Sequence, residues 1–405
     1  MMNERQLFQK YLAPTSLEPM GLQIEKAESS LLFDNHQKPY IDLIGGVSVC
    51  NVGHRHPKVI HSIQQQLEKY LHIMVYGELV QSPQVQYAEL LCKHLPEHLN
   101  CVYFTNSGAE AVEGAMKLAK RFTNRAEIIA CHHSYHGSTQ GPLSLLGDET
   151  YRRAFRPLLP GIKHVWHNDF ESLKSITEKT ACIILEPIQA EAGVKVPSIE
   201  WMQALRKRCT ETGCLLIFDE IQTGFGRTGK LWAFEHFGIE PDVLLLAKAL
   251  GGGMPLGAFI SSKEILNSFA ANPILGHITT FGGHPVSCAA GKAALEAIIE
   301  EDMLKDIAKK EALFLKYLKH PLIKAVRHKG LFMAVELPNF ETVIKVIEYG
   351  LQRAEKGIFT DWFLFAIDCI RIAPPLIITE EEVIEACQII LEALNNVEQE
   401  GNTQG

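Results

Sequence analysis

A succession of short apolar runs between about residues 100 and 262 limits the fold most: "CVYFT", "EIIAC", "ACIILE", "CLLIFD", "VLLLA" and "GAFIS". They do not alternate apolar with polar residues, as expected of strands buried on both faces of a parallel sheet. Helical patterns fall between several of them; "EWMQALRKRCTETG", for instance, precedes "CLLIFD". This alternation predicts an α/β core built on a large, mostly parallel sheet.

The flanks read differently. Residues 1–50 are irregular, with strand candidates such as "PYIDLIGG". "HPKVIHSIQQQLEKYL" then reads as a helix, with Pro57 in its first turn and Val59, Ile60, Ile63, Leu67 and Leu71 on one face. After "TTFGGHP" a long helical stretch from Val286 to about Lys319 leads to strands "GLFMAVEL" and "CIRIA". A last helix opens on the capping pattern Thr379-x-x-Glu382. The domains expected are a segment 1–50 contributing to a small α+β domain, a large domain over 51–285, and the rest of the small domain over 286–405. The polar end "NNVEQEGNTQG" is expected to fray.

Composition excludes some function classes. The 405 residues carry a net charge of −8 and no basic run, which argues against a nucleic-acid surface. There is no apolar segment of membrane-spanning length, and "MMNERQLFQKYLAP" lacks the apolar core of an export signal. The ten cysteines are scattered without a C-x-x-C pair, so buried reduced thiols in a cytoplasmic protein are expected.

Ligands of open parallel sheets bind at the carboxyl ends of the strands. "CVYFT" is followed by Asn106-Ser107-Gly108-Ala109, "EIIAC" by "HHSYHGST", and "ACIILE" ends at Glu186-Pro187. "CLLIFD" ends at Asp219, and "VLLLA" leads to Lys248 and three glycines. Ser107-Gly108-Ala109 opens a helix, and its free backbone N–H groups suit a phosphate. A lysine at a buried strand end has a lowered pKa, which frees the amine to form a Schiff base. An amine, a carboxylate, a phosphate turn and an aromatic at Tyr135 together describe a pyridoxal 5′-phosphate site, in which the carboxylate keeps the pyridine nitrogen protonated.

A nucleotide-hydrolysing reading fails on chemistry. Gly224 to Lys230 matches G-x-x-x-x-G-K, but Leu231 stands where Ser or Thr must bind Mg²⁺. His54, His56, His132, His133 and His136 lack the spacing of a metal site, and no G-x-S-x-G elbow is present. No metal is expected.

With those residues in view, the chain resembles the class III, or ω-amino-acid, aminotransferases among the fold type I pyridoxal-phosphate enzymes. The resemblance runs from "YIDLIGGVSVCNVGHRHPKVI" through "FTNSGAEAVEGAMKLAKR", "YHGST", "EPIQAEAGV", "IFDEIQTGFGRTG", "LLLAKALGGGMPLGA" and "TTFGGHP" to "IRIAPPLIIT". Ornithine, acetylornithine and 4-aminobutyrate aminotransferases look most similar. The resemblance implies that Lys248 is the Schiff-base lysine and proton shuttle, and that Asp219 pairs with the pyridine nitrogen. Ile221 would pack on the ring, Gln222 would lie near its phenolic oxygen, and Tyr135 would stack on it with His136 alongside. Ser107, Gly108 and Ala109 would cradle the phosphate. Thr280 would reach that phosphate from a neighbouring subunit, which implies a homodimer with its active site at the interface, and Thr279 would sit near the substrate. Arg371 would bind the α-carboxylate of glutamate or 2-oxoglutarate, and Glu191 would pair with it while an ω-amine donor is bound. The chain departs from the pattern at Ser138, where ornithine and acetylornithine enzymes usually carry the arginine that grips the donor's carboxylate. His284 stands where asparagine is usual, and Arg152, Arg153 and Arg156 are candidates to replace the missing arginine.

The implied reaction moves an amino group from an ω-amino donor to 2-oxoglutarate. The alternative is an aminomutase or decarboxylase of the same fold, against which Glu191 argues.

Overall fold

The computed structural model describes residues 2–403. Near the start, β1 (Ile24–Glu28), β2 (Leu31–Asp34) and β3 (Pro39–Asp42) form an antiparallel meander. The central sheet comprises β4 (Cys101–Thr105), β5 (Glu127–Cys131), β6 (Ile162–Val165), β7 (Thr180–Leu185), β8 (Leu215–Asp219), β9 (Val243–Leu246) and β10 (Gly257–Ser261), in the order β4-β10-β9-β8-β7-β5-β6. The later chain supplies β11 (Ala325–His328), β12 (Met333–Glu336), β13 (Gly357–Phe359), β14 (Trp362–Phe363) and β15 (Ala366–Ile372). Four of these form a sheet β11-β12-β15-β14, while β13 pairs in parallel with β3 and completes the first sheet.

Why the central runs lack alternation is visible in the packing. Ile128 and Ala130 face one core cluster with Ile184, Ile217 and Leu245, while Ile129 and Cys131 face another with Ile183, Leu216 and Leu244. Both faces are therefore covered, and every position must be apolar. The helix Gly108–Thr123 lies on the first face, and Ile199–Thr212 lies on the second. Ser198 caps the latter by accepting from the Trp201 N–H, and Gly213, at φ 64°, ends it in the left-handed conformation.

Several expectations are corrected. Strand β10 runs antiparallel to both neighbours, so "GAFIS" is not one of the parallel strands. Edge strand β6 was missed, because Lys163 and His164 break its apolar pattern where one side has no partner strand. The stretch from Val286 is two helices, Pro285–Glu300 and Ile307–Tyr317, with Asp302 at φ 49° in the break. The helix from Pro57 stops at Leu67, and Leu67 and Leu71 are exposed rather than facing a core. The last helix, Glu380–Thr403, has the expected capping box, with Thr379 N–H donating to Glu382 and Glu382 N–H to the Thr379 hydroxyl. It continues through most of the segment expected to fray; Gln404 and Gly405 lie outside the described residues.

The turn after β3 is unusual. Gly45, Gly46, Val47 and Ser48 all have φ between 56° and 64°, one turn of left-handed backbone. Asp42 stabilises it by accepting from the N–H groups of Ile44 and Gly45. Among the described residues no helix is long and apolar enough to cross a membrane.

Candidate active site

The carboxyl ends of β4, β5, β7, β8 and β9 meet on one rim, where they enclose a cleft of about 550 Å³. That is within the usual range for a small-molecule site. Ser107, Gly108, Ala109, Tyr135, His136, Asp219, Ile221, Gln222 and Lys248 all line it, together with Val49, Glu186 and Met254.

Lys248 follows β9 at the start of a single 3₁₀ turn, Lys248–Gly251. Its own φ of 50° is costly for a non-glycine residue, a conformation that persists at functional sites when the surroundings enforce it. Burial lowers the pKa of its amine, against the opposing pull of the Glu191 and Asp219 charges. Among the described residues no hydrogen-bond partner meets that amine, so it is not tied down.

Asp219 ends β8 with both oxygens engaged. Oδ2 lies 2.7 Å from His136 Nδ1, and Oδ1 accepts from the Ile221 N–H at 3.0 Å. Glu186 stands behind them, accepting from the N–H groups of Tyr135 (3.1 Å) and Ala190 (2.8 Å). Burial pushes the Glu186 carboxyl up to about 7, with the Asp219 charge adding and His136 opposing.

The β4 turn leads directly into the helix Gly108–Thr123. The Ser107 hydroxyl caps it by accepting from the Glu110 N–H. A Cβ on Gly108 would lie 2.8 Å from Ile221 Cδ1, so a hydrogen atom is all that fits between this turn and Ile221 without displacing it. The Tyr135 hydroxyl pairs with Ser138 at 2.9 Å.

Glu191 and Arg371 sit beside the cleft as a buried two-point pair, at 2.9 and 3.0 Å. Gln222 joins them to the cleft lining, donating to Glu191 at 3.0 Å. Burial works against the Glu191 charge, but Arg371 outweighs it and holds that carboxyl below its usual value.

Thr279 and Thr280 do not line this cleft. The Thr279 hydroxyl accepts from the Asn106 side chain at 3.0 Å, next to the Ser107 turn, and Thr280 is exposed. Arg152 and Arg156 both pair with Glu149, whereas Arg153 is exposed and, among the described residues, has no partner. Sequence reasoning missed Glu186 and Asp361 as site residues. The strand-end position of Glu186 was a usable signal; Asp361 had none.

Comparisons with known proteins agree with this geometry. The model of the class-III aminotransferase family matches residues 12–394. An acetylornithine aminotransferase of Methanopyrus kandleri is 38% identical over 399 residues, covering 97% of this chain and 99% of that protein. One from Methanosarcina mazei is 39% identical over 379 residues, covering 92% and 91%. The ornithine aminotransferase of Toxoplasma gondii, whose structure was described with partial occupancy of pyridoxal phosphate at its active site, superposes with a TM-score of 0.89 at 28% identity, covering 97% of this chain and 94% of that one. A transaminase from the marine bacterium Virgibacillus superposes at 0.91 and 27% identity, covering 98% and 99%.

Fold and cleft together define a pyridoxal-phosphate enzyme of fold type I. The chain belongs to the class-III aminotransferases. Pyridoxal 5′-phosphate is its cofactor, and the residues present fit it: a free amine at Lys248, a carboxylate at Asp219, and a helix N-terminus whose first residue has no side chain.

Proposed function

We propose that this enzyme transfers the terminal amino group of an ω-amino donor to 2-oxoglutarate, giving glutamate and an aldehyde. Ornithine, acylated ornithine and 4-aminobutyrate define the donor type, and the acetylornithine aminotransferases among its relatives favour an acylated ornithine. The observation that carries the reading is the buried Glu191–Arg371 pair beside the Lys248 cleft. A guanidinium neutralised by Glu191 leaves room for a donor whose reacting end carries no carboxylate. Once Glu191 withdraws, its two-donor edge takes the α-carboxylate of the acceptor.

When bound, pyridoxal phosphate supplies an electron sink that lets a proton leave the amine-bearing carbon. Lys248 Nζ takes that proton and returns it. Asp219, oriented by His136, would hold the pyridine nitrogen in its charged form. Ser107, Gly108 and Ala109 would hold the phosphate, Tyr135 and Ile221 would pack on the ring, and Gln222 would lie by its phenolic oxygen.

The active unit in this reading is a cytoplasmic homodimer. Ile73, Met74, Ile278 and Phe281 are exposed apolar residues on two segments that His72 and Phe281 bring together at 4.7 Å. A second copy covering them would bring Thr280 to its partner's phosphate and Thr279 towards the substrate.

The test is a screen of N-acetylornithine, N-succinylornithine, ornithine, lysine, 4-aminobutyrate and diamines with 2-oxoglutarate. Glutamate should form in step with loss of the amine. An amine rearranged with no acceptor would overturn the reading in favour of an aminomutase. Purified protein should be yellow and Lys248→Ala should not fix the cofactor on borohydride treatment.

A further inference from the structure

Arg371 stands between two carboxylates that approach it from different parts of the chain. Glu191, from the loop after β7, meets the Nη1 and Nη2 groups at 2.9 and 3.0 Å. Asp361, between β13 and β14, meets Nε at 2.8 Å. The segment around Asp361 grips the arginine elsewhere too. The Trp362 carbonyl accepts from Nη2 at 2.9 Å, and the Phe363 ring lies under the guanidinium, 4.4 Å from its centre. Two further bonds join the same segment to the arginine's own strand, a backbone one from Arg371 N–H to the Asp361 carbonyl (2.9 Å) and one from the Thr360 hydroxyl to the Arg371 carbonyl (2.6 Å).

We propose that Asp361 is a positioning residue that keeps Arg371 aimed at the cleft while Glu191 is displaced by the carboxylate of the acceptor. The proposal rests on the reading of Arg371 as the acceptor's carboxylate site. Without Glu191, a long side chain with many rotamers would have to be held by other contacts, or its ordering would be charged against substrate binding. Asp361 provides that hold from the corner the substrate does not use. It also loosens the resting pair, because two buried carboxylates compete for one cation. Burial and the Glu191 charge push the Asp361 carboxyl up, while Arg371 opposes them.

The experiment titrates holoenzyme with glutarate, an unreactive dicarboxylate, and follows the donor and acceptor half-reactions separately by cofactor absorbance. Asp361→Ala should weaken glutarate and raise the KM for 2-oxoglutarate by roughly ten- to a hundredfold, as for loss of a hydrogen bond to a charged group. Its kcat and donor half-reaction should stay near wild type. Asp361→Asn keeps an oxygen for Nε–H and should recover most of the loss; Asp361→Ser is the second truncation should the alanine variant not fold. Unchanged or tighter glutarate binding in the truncations, or equal slowing of both half-reactions, overturns the proposal. Arg371→Ala is run alongside. If that variant binds glutarate normally, the reading of Arg371 itself fails; if it binds poorly while the Asp361 truncations bind normally, only the role of Asp361 fails.

Discussion

His136 Nδ1 and Asp219 Oδ2 lie 2.7 Å apart, where neither side chain reaches solvent. Burial disfavours a charged imidazole here, but the bond and charge of Asp219, with Glu186 behind it, outweigh that and raise the ring's pKa. The imidazole therefore fixes the rotamer of a carboxylate that lines the cleft. His136→Ala should weaken pyridoxal phosphate binding by about tenfold or more, the effect of losing a charge-assisted hydrogen bond. Fluorescence titration of the apoenzyme measures it, and unaltered affinity would show that Asp219 is oriented without the histidine.

Gly257 and Gly108 are both confined, by different neighbours. A Cβ on Gly257 would meet the Ser107 carbonyl oxygen at 2.2 Å, a backbone atom, whereas one on Gly108 meets the movable end of Ile221. Gly257→Ala should destabilise the protein by about 2–4 kcal/mol and displace the Ser107 turn. Gly108→Ala should cost stability under about 1 kcal/mol but displace Ile221, which lines the cleft. Thermal unfolding of both apoenzymes, followed by cofactor titration, separates the two effects.

Arg227 is fully buried and, among the described residues, bonded to no carboxylate. Its guanidinium donates to the carbonyls of Leu331 (2.9 Å) and Pro374 (2.5 Å) and to Asn51 Oδ1 (2.6 Å). Arg227→Met fills similar space and leaves all three acceptors without their donor. A loss of about 3 kcal/mol or more is expected in urea unfolding, with a smaller loss for Asn51→Ala.

His54 pairs with Asp42 at 2.8 Å. Burial opposes its charge, but the bond to Asp42 and the neighbouring Cys50 raise its pKa from 6.5 to about 10. Below 6.5 the ring is protonated in folded and unfolded chains alike, and the pair's contribution is fully present. As the pH rises further only the folded chain keeps the proton, so stability falls until about pH 10. The melting temperature of wild type should decline over that window, and His54→Gln should flatten the decline. Parallel curves would show that the pair does not titrate there.

The central sheet was legible because burial on both faces leaves its strands uninterrupted, and the site followed because Asp219 ends one strand and Lys248 closely follows another. Edge strand β6 escaped because Lys163 is tolerated where one side stays open. Glu186 was in view at a strand end, but its raised pKa comes first from burial and then from the charge of Asp219, a neighbour through space only. The helix break at Asp302 turns on one residue's φ, which apolar periodicity does not encode. Asp361 was invisible because its importance arises from the packing of the β14 segment around Arg371, and no local motif records a partner.

The pairing of β3 with β13 sets a schedule for synthesis. Tyr40 lies opposite Gly357, so β3 leaves the ribosome about 315 residues before its parallel neighbour exists. At about 5–20 residues per second, that wait lasts roughly 15–60 s. For most of that time Ile41 and Leu43, buried in the finished enzyme, have no core to enter, because the later residues of the cluster they join begin at Ile307. A nascent chain stalled before residue 357 should therefore expose a sticky, half-built sheet edge, and this is the stage at which chaperones would find it.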